Sequence, residues 1–371
     1  MSQTQKQGRR VVFVVQGEGH GHFTQAMALF DILTQAGYTI SGMLVGMKRR
    51  RELPKFFTKH SSVPIFRFTS PALLVDRHTK KISLWKTTLI NALCLPWHLA
   101  QLPRLHRWIK RLQPDLIVNF HEPLIGLYTA WYRPKARMFC IAHQYLFLHK
   151  KFQAPSAHPW VQAIMRWFIN LTSKGASLRL ALSWYPLPPD HDQGIVVVPP
   201  LLRKGVYGQK VKDDGFLLIY LLNQGYGKTI IEWHTKHPSV RVHCFWDNKR
   251  VPSVWQYDDN LTFHQLDGET FLYYMAGCSL YLSTAGFESI SEALYFGKPI
   301  MVGPIENHIE QYMNAFDLST SHLGVATTRF DIEKLLEWMT QYSPEQNPDV
   351  FRVWVDSTPT KILSEIDSLI K

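Results

Sequence analysis

Apolar residues run along this chain in two rhythms. Short unbroken runs, such as Val11-Val12-Phe13-Val14-Val15, Leu116-Ile117-Val118 and Leu217-Leu218-Ile219-Tyr220-Leu221, are too short for helices and lack polar alternation, which marks strands buried on both faces. Further runs at Thr39 to Val45, Val63 to Phe68, Arg137 to Ala142, Leu178 to Ser183, Ile195 to Val198, Val240 to Trp246, Leu261 to His264, Cys278 to Leu282 and Ile300 to Val302 continue the series. Between them the spacing becomes helical: Ala26, Leu29, Phe30 and Leu33; Trp160 to Leu171; Phe287, Ile290, Ala293 and Leu294; and, near the end, Ile362, Leu363, Ile366 and Leu369. Strands alternating with helices predict an α/β fold on parallel sheets. Pro-rich Tyr185-Pro186-Leu187-Pro188-Pro189 and Pro199-Pro200 predict a stiff passage between two domains.

The chemistry concentrates in Ser283 to Ala315. A strand passes through Thr284-Ala285-Gly286 into a helix that Gly297-Lys298-Pro299 stops; a second strand then turns at Gly303-Pro304 into a second helix from about Asn307. Two such turns in a parallel sheet place two helix N-termini on one edge, where backbone N–H groups and dipoles suit a phosphate. Glu288 and Glu292 share a face of the first helix, and Glu310-Gln311 open the second. Ionised acids accept hydrogen bonds from sugar hydroxyls, so the combination fits a nucleotide. The alternative is that Glu288 and Glu310 offset helix dipoles while Glu292 is a solvated helix residue.

On Gly286, Ser291-Glu292-Ala293, Gly297-Lys298-Pro299, Pro304, Glu310-Gln311-Tyr312 and Asn314-Ala315, this stretch resembles the donor-nucleotide motif of GT-B glycosyltransferases, especially the peptidoglycan N-acetylglucosaminyltransferase group. The resemblance implies that Glu292 holds ribose hydroxyls and that Glu310 and Gln311 contact the donor sugar. It adds Ser289, the turn at Asn223-Gln224-Gly225 for the diphosphate, and Leu266 at the position that recognises the base. Asn223 and Gln224 stand where the family usually carries Ser or Gly.

In the first half, the opening strand feeds Gln16-Gly17-Glu18-Gly19-His20-Gly21-His22, a glycine loop before a helix, with G-x-G-x-G spacing and not the dinucleotide fingerprint. It resembles the Gly-His loop of GT-B enzymes, with His22 the matching histidine and His20 an extra one. A histidine suits proton removal from an acceptor hydroxyl near neutral pH; the other reading is a loop-bracing imidazole. His121-Glu122 and His143 also fall just past strand ends, so His20, His22, His121 and His143 are expected to converge on one crevice, as proton carriers, hydroxyl contacts or zinc ligands. Glu122 rivals His22 as base. The cluster Lys48-Arg49-Arg50-Arg51 keeps an NADP enzyme in view. Asp190-His191-Asp192 resembles a metal-binding D-x-D but reads as solvated turn residues.

Charge divides the chain. Residues 1–190 hold 26 Lys+Arg against 7 Asp+Glu, and residues 191–371 hold 15 against 22. The basic half suits an anionic substrate or membrane surface; no DNA- or RNA-binding motif accompanies it, so nucleic acid is not expected. Leu84 to Leu112 mixes Trp and Leu with Arg104, Arg107, Lys110 and Arg111, broken by Pro96 and Pro103, which reads as an interfacial element or as core helices with a solvated basic face. No apolar run reaches the roughly 18 residues that span a bilayer, the N-terminus lacks a signal-peptide pattern, and the 4 cysteines stand singly, so a cytoplasmic location is expected, with peripheral association at the membrane's inner face.

These expectations combine into two Rossmann-like domains facing each other across a cleft (GT-B): an acceptor domain over 1–190, a nucleotide-sugar domain over 191–355 and a C-terminal helix over 356–371 that packs back on the first. The expected reaction is inverting, metal-independent transfer of a hexose from a nucleotide-diphosphate sugar, a UDP-sugar first, to a hydroxyl, lipid-linked or anionic, without a cofactor. A nucleotide-sugar 2-epimerase of the same fold and a non-catalytic nucleotide-sugar-binding protein are the alternatives.

Overall fold

The computed structural model describes residues 8–72, 84–155, 159–221, 224–248, 250–337 and 348–370. They form two compact units, one holding the described residues up to Arg203 together with Val353 onward, the other the described residues from Lys204 to Arg352.

The first unit is built on seven strands: β1 (Arg10–Gln16), β2 (Thr39–Gly46), β3 (Ile65–Phe68), β4 (Leu116–Phe120), β5 (Arg137–Ala142), β6 (Leu178–Leu182) and β7 (Ile195–Val198). They lie in the order β3-β2-β1-β4-β5-β6-β7, and every pairing is parallel. Val11 to Val15 are fully buried in β1, as their unbroken apolar run demands. β7 follows the first proline cluster yet pairs with β6 through Leu182 and Val198, so this unit continues past 190 to the second cluster. Helix Thr358–Ile370 belongs to the same unit: Thr358 Oγ1 donates to Pro200 O at 3.2 Å and Tyr38 OH to Asp367 Oδ1 at 3.1 Å.

The prolines in 84–112 act as expected at helix starts, where their missing N–H costs nothing: Pro96 opens Leu95–Leu99 and Pro103 opens Leu102–Leu112. The D-x-D string departs from its expectation as solvated residues. Asp190 is fully buried and accepts from Lys150 N at 2.9 Å, a structural clamp on its turn, while Asp192 is exposed.

The second unit repeats the plan with β8 (Leu217–Leu221), β9 (Val242–Trp246), β10 (Val254–Gln256), β11 (Leu261–Gln265), β12 (Leu280–Ser283), β13 (Ile300–Val302) and β14 (Val325–Ala326). Their order is β10-β11-β9-β8-β12-β13-β14, parallel except for β10, an antiparallel edge strand. Beneath the sheet, Ile219, Trp233, Cys244, Phe263 and Leu282 pack into one apolar cluster. In each sheet the strand order reverses beside the opening strand, between β1 and β4 and between β8 and β12. Ligands of open α/β sheets bind outside the carboxyl ends of strands at such reversals, so each unit has one favoured place.

Candidate active site

At the first reversal, β1 ends in Gln16 and the glycine loop leads into helix Gly21–Gln35. His22, on the first turn of that helix, is half-buried, and its Nδ1–H donates to Gln25 Oε1 at 3.2 Å. The amide oxygen can only accept, which fixes the proton on Nδ1 and leaves Nε2 with its lone pair. Desolvation pushes the His22 pKa down to about 4 against the raising effect of Gln25, so the ring is neutral and proton-accepting near pH 7.

His121 follows β4 with φ 60°, in the left-handed region that costs a non-glycine residue of order 1 kcal/mol or more and is tolerated where surroundings impose it. That turn brings its ring to 5.8 Å from His22. The ring is held from behind: Thr172 Oγ1 gives its proton to Ile169 O at 2.7 Å and accepts from His121 Nδ1 at 3.3 Å and Tyr145 OH at 3.0 Å. Burial and the neighbouring His22 keep the His121 pKa well below the ordinary range.

Glu122 sits elsewhere in this arrangement. It is fully buried; Oε1 accepts from Ser70 Oγ at 2.6 Å and Leu124 N at 3.1 Å, capping helix Pro123–Tyr132. A Cβ on Gly46 would lie 2.1 Å from Glu122 Oε2, so the strand end approaches the carboxyl as only glycine allows. Burial pushes the Glu122 pKa up to about 8, leaving the acid largely protonated at neutral pH.

The four histidines do not gather as one cluster. His143 sits one strand further from the reversal, with Nδ1 bonded to Leu182 O at 2.8 Å and its ring against Phe147 and Trp184. His20 is exposed, its ring 6.1 Å from Phe56. The basic cluster is also engaged: Glu18 accepts from Lys48 N and Arg51 Nη1, both at 3.2 Å.

At the second reversal, β12 ends at Ser283, Gly286 caps helix Phe287–Tyr295, and Gly286 N donates to Thr284 O at 2.6 Å. Glu292 is 2% exposed on the inner face of this helix, so the solvated-residue reading fails. Ser289 is buried and donates to Gly286 O. Ser283 Oγ is buried against the Tyr281 hydroxyl, while Thr284 Oγ1 is buried with no hydrogen-bond partner among the described residues, a costly state that a polar ligand would relieve. Helix Ile309–Thr320 joins from the next turn: Asn314 Nδ2 donates to Ala285 O at 2.9 Å, and Gln311 Oε1 accepts from Ile305 N at 2.9 Å. Glu310 stands half-buried in its first turn. Gly225 lies in the turn before helix Gly227–Lys236, and Leu266 half-buried after β11; Asn223 lies outside the described residues.

Sequence reasoning passed over Gln25, Ser70 and Thr172, which orient the residues it named. Asn119 was readable as the one polar side chain in an apolar strand; its Nδ2 donates to Thr172 O at 2.6 Å. Ser70 and Thr172 carry no local signal, because their partners are distant in sequence, whereas Gln25 stands three residues after His22 on one helix face and was readable from that spacing.

Comparison with known proteins agrees with this architecture. The model of the family described as "Glycosyl transferase family 1" matches residues 9–342. An uncharacterized glycosyltransferase of Methanosarcina acetivorans is 23% identical over 337 residues, covering 85% of this chain and 82% of the relative. Among solved structures, Medicago truncatula UGT71G1 complexed with UDP-glucose is similar with a TM-score of 0.65 at 14% identity, covering 100% of both chains. Arabidopsis thaliana UGT89C1 complexed with UDP-L-rhamnose gives 0.65 at 13% identity, covering 97% of this chain and 98% of the other. MurG of Acinetobacter baumannii gives 0.56 at 15%, covering 97% and 99%. The fold is therefore that of the GT-B glycosyltransferases.

Proposed function

The chain belongs to glycosyl transferase family 1, and from that premise we propose that it moves a hexose from a nucleotide-diphosphate sugar, a UDP-sugar first, to an acceptor hydroxyl with inversion at the anomeric carbon. The observation that carries the donor side is the buried Thr284 Oγ1, without a hydrogen-bond partner among the described residues, beside the N-terminus of helix Phe287–Tyr295. Phosphate oxygens accept from hydroxyls and from helix N–H groups alike. Glu292 and Glu310 then take ribose and sugar hydroxyls, Gln311 and Asn314 hold the second turn in place, and Gly225 and Leu266 bring backbone to diphosphate and base.

On the acceptor side, His22 Nε2 takes the acceptor proton while the oxygen forms its bond to the anomeric carbon. The bond from that carbon to the diphosphate breaks, and its electron pair leaves with the diphosphate. Helix N-termini and the Thr284 hydroxyl offset the new negative charge, which is the reason to expect no metal requirement. His22 is preferred to Glu122 because its Nε2 is unprotonated at neutral pH, whereas Glu122 is buried, protonated and spent on a helix cap. Glu122 acts as a positioning residue, and His121 borders the acceptor. The domain division follows: donor in the second unit, acceptor in the first. The acceptor is lipid-linked or anionic, matching the basic half, and the protein works at a membrane surface.

The test is product detection by mass spectrometry with a panel of nucleotide sugars and polyprenyl or lipid acceptors. Mass gain by one hexose, with stoichiometric UDP release, supports the reading; release of free sugar epimer without transfer contradicts it.

A further inference from the structure

The two imidazoles at the first reversal are set alike. His22 spends its Nδ1–H on Gln25 Oε1 and His121 spends its own on Thr172 Oγ1, so each ring keeps a lone pair on Nε2. Neither Nε2 has a hydrogen-bond partner among the described residues. The functional reading above uses one of these nitrogens as the base and leaves the other without a task.

The His121 side is the more heavily built. Asn119, in β4, accepts from Glu122 N at 2.8 Å and donates from Nδ2 to Glu122 O at 3.2 Å and to Thr172 O at 2.6 Å. These bonds tie the turn after β4 to the end of helix Pro159–Thr172 and hold His121 in its left-handed backbone. The ring is 7% exposed and stands edge-on to Tyr145 and Phe168, with 5.7 and 5.6 Å between ring centres. Thr172 Oγ1 has given its one proton to Ile169 O, so it can only accept from His121 and Tyr145, which fixes the tautomer of His121. Backbone strain and a three-way hydroxyl contact spent on one ring are features of functional positions rather than of filler in a core.

The titratable groups around the pair are neutral. Burial pushes up the Tyr145 hydroxyl, the Cys140 thiol and the Glu122 carboxyl, and Arg179 is engaged by Ser173 Oγ and Gln193 O, both at 2.9 Å. Two uncharged acceptor nitrogens offer nothing to a phosphate or carboxylate oxygen, which has no proton to give; they suit hydroxyl groups.

We infer that His121 determines acceptor specificity: its Nε2 accepts from a second hydroxyl beside the one that His22 deprotonates, so the acceptor class is a diol or polyol rather than a lone alcohol. With 5.8 Å between ring centres, hydroxyls on neighbouring carbons can each reach one ring. The inference rests on the sugar-transfer reading and names the chemistry of its acceptor.

Wild type, His121→Asn and His121→Gly are given UDP-sugars with octyl mannoside, octyl glucoside and monooleoyl glycerol. Each acceptor is tested beside analogues with one hydroxyl methylated or removed, and transfer is followed by mass spectrometry. Asn and Gly both tolerate the left-handed backbone, and Asn keeps an acceptor oxygen at that place. Wild type is expected to prefer an intact diol about tenfold in kcat/KM over the analogue that retains only the reacting hydroxyl, with the preference residing in KM. The preference falls to about one in His121→Gly and partly returns in His121→Asn; a merely structural ring would instead lower transfer to both acceptors alike. No preference in wild type, or an undiminished one in His121→Gly, overturns the inference. Proton–nitrogen NMR of the histidine side chains at pH 7 gives a second readout that needs no acceptor: Nε2 is expected to be unprotonated in both rings, and a protonated His121 Nε2 overturns the inference. Should the variants not fold, or no probe be glycosylated, this measurement on wild type decides. Nucleotide-induced stabilisation and transfer to single-hydroxyl acceptors are scored separately, so loss of the second contact is distinguishable from failure of sugar transfer itself.

Discussion

At residue scale, each imidazole and carboxyl in the first unit is set by what stands behind it. His22 owes its basic Nε2 to Gln25, and substituting His22 by Ala is expected to lower kcat by about 100- to 10,000-fold, the range of a lost general base, while leaving nucleotide binding intact. With the His22 pKa near 4, the acid limb of kcat/KM falls close to pH 4 and not near pH 6.5. Glu122 predicts a stability effect of opposite direction. Its folded pKa of about 8 exceeds the ordinary carboxylate value, so the folded state holds the extra proton between the two; stability from this group is complete at acid pH and is lost as pH rises through 8. Urea unfolding of wild type against Glu122→Gln is expected to show the decline between about pH 4.5 and 8 flattened in the variant. Gly46→Ala drives a methyl into the same carboxyl and is expected to cost about 1–3 kcal/mol by urea unfolding. Of these settings only the spacing of Gln25 from His22 was visible in sequence; burial made a protonated cap of an acid that sequence spacing offered as a base.

At element scale, the strand-to-helix turns explain what the sequence carried. The runs from Val11 and Leu217 became central strands because each is apolar throughout and so must be covered on both faces. The turn at Thr284-Ala285-Gly286 and the helix after it were legible from glycine and period alone. The edges were not: β10 is antiparallel and β14 has two residues, and so short an element has too few alternating positions to show a period. Histidines at strand ends misled in one respect, since neighbouring strand ends are not one place; β5 turns His143 toward β6, away from the β1–β4 reversal. Asn314 joins the two turns of the second unit through Ala285 O. Asn314→Ala removes a buried hydrogen bond and orphans that carbonyl, which is expected to cost about 1–3 kcal/mol in urea unfolding and to weaken nucleotide binding as the second helix loosens.

At the scale of the whole molecule, two sheets share the same reversal: one unit offers paired histidines, the other a buried Thr284 hydroxyl with no partner among the described residues, a buried glutamate and helix N-termini. Charge follows the division, since the basic half carries the histidines and the acidic half the proposed donor site. Binding of a nucleoside diphosphate to the second unit through Glu292 is tested by thermal unfolding with UDP, GDP, dTDP, ADP and NADP⁺ on wild type and Glu292→Ala. A nucleoside diphosphate at about 100 times its Kd adds about 2.7 kcal/mol to the native state. For a domain of this size that is a rise of roughly 5–10 °C in Tm. That rise is expected with UDP on wild type and is lost in the variant; stabilisation by NADP⁺ alone, by none of the five, or equally in the variant would contradict a donor site held by Glu292.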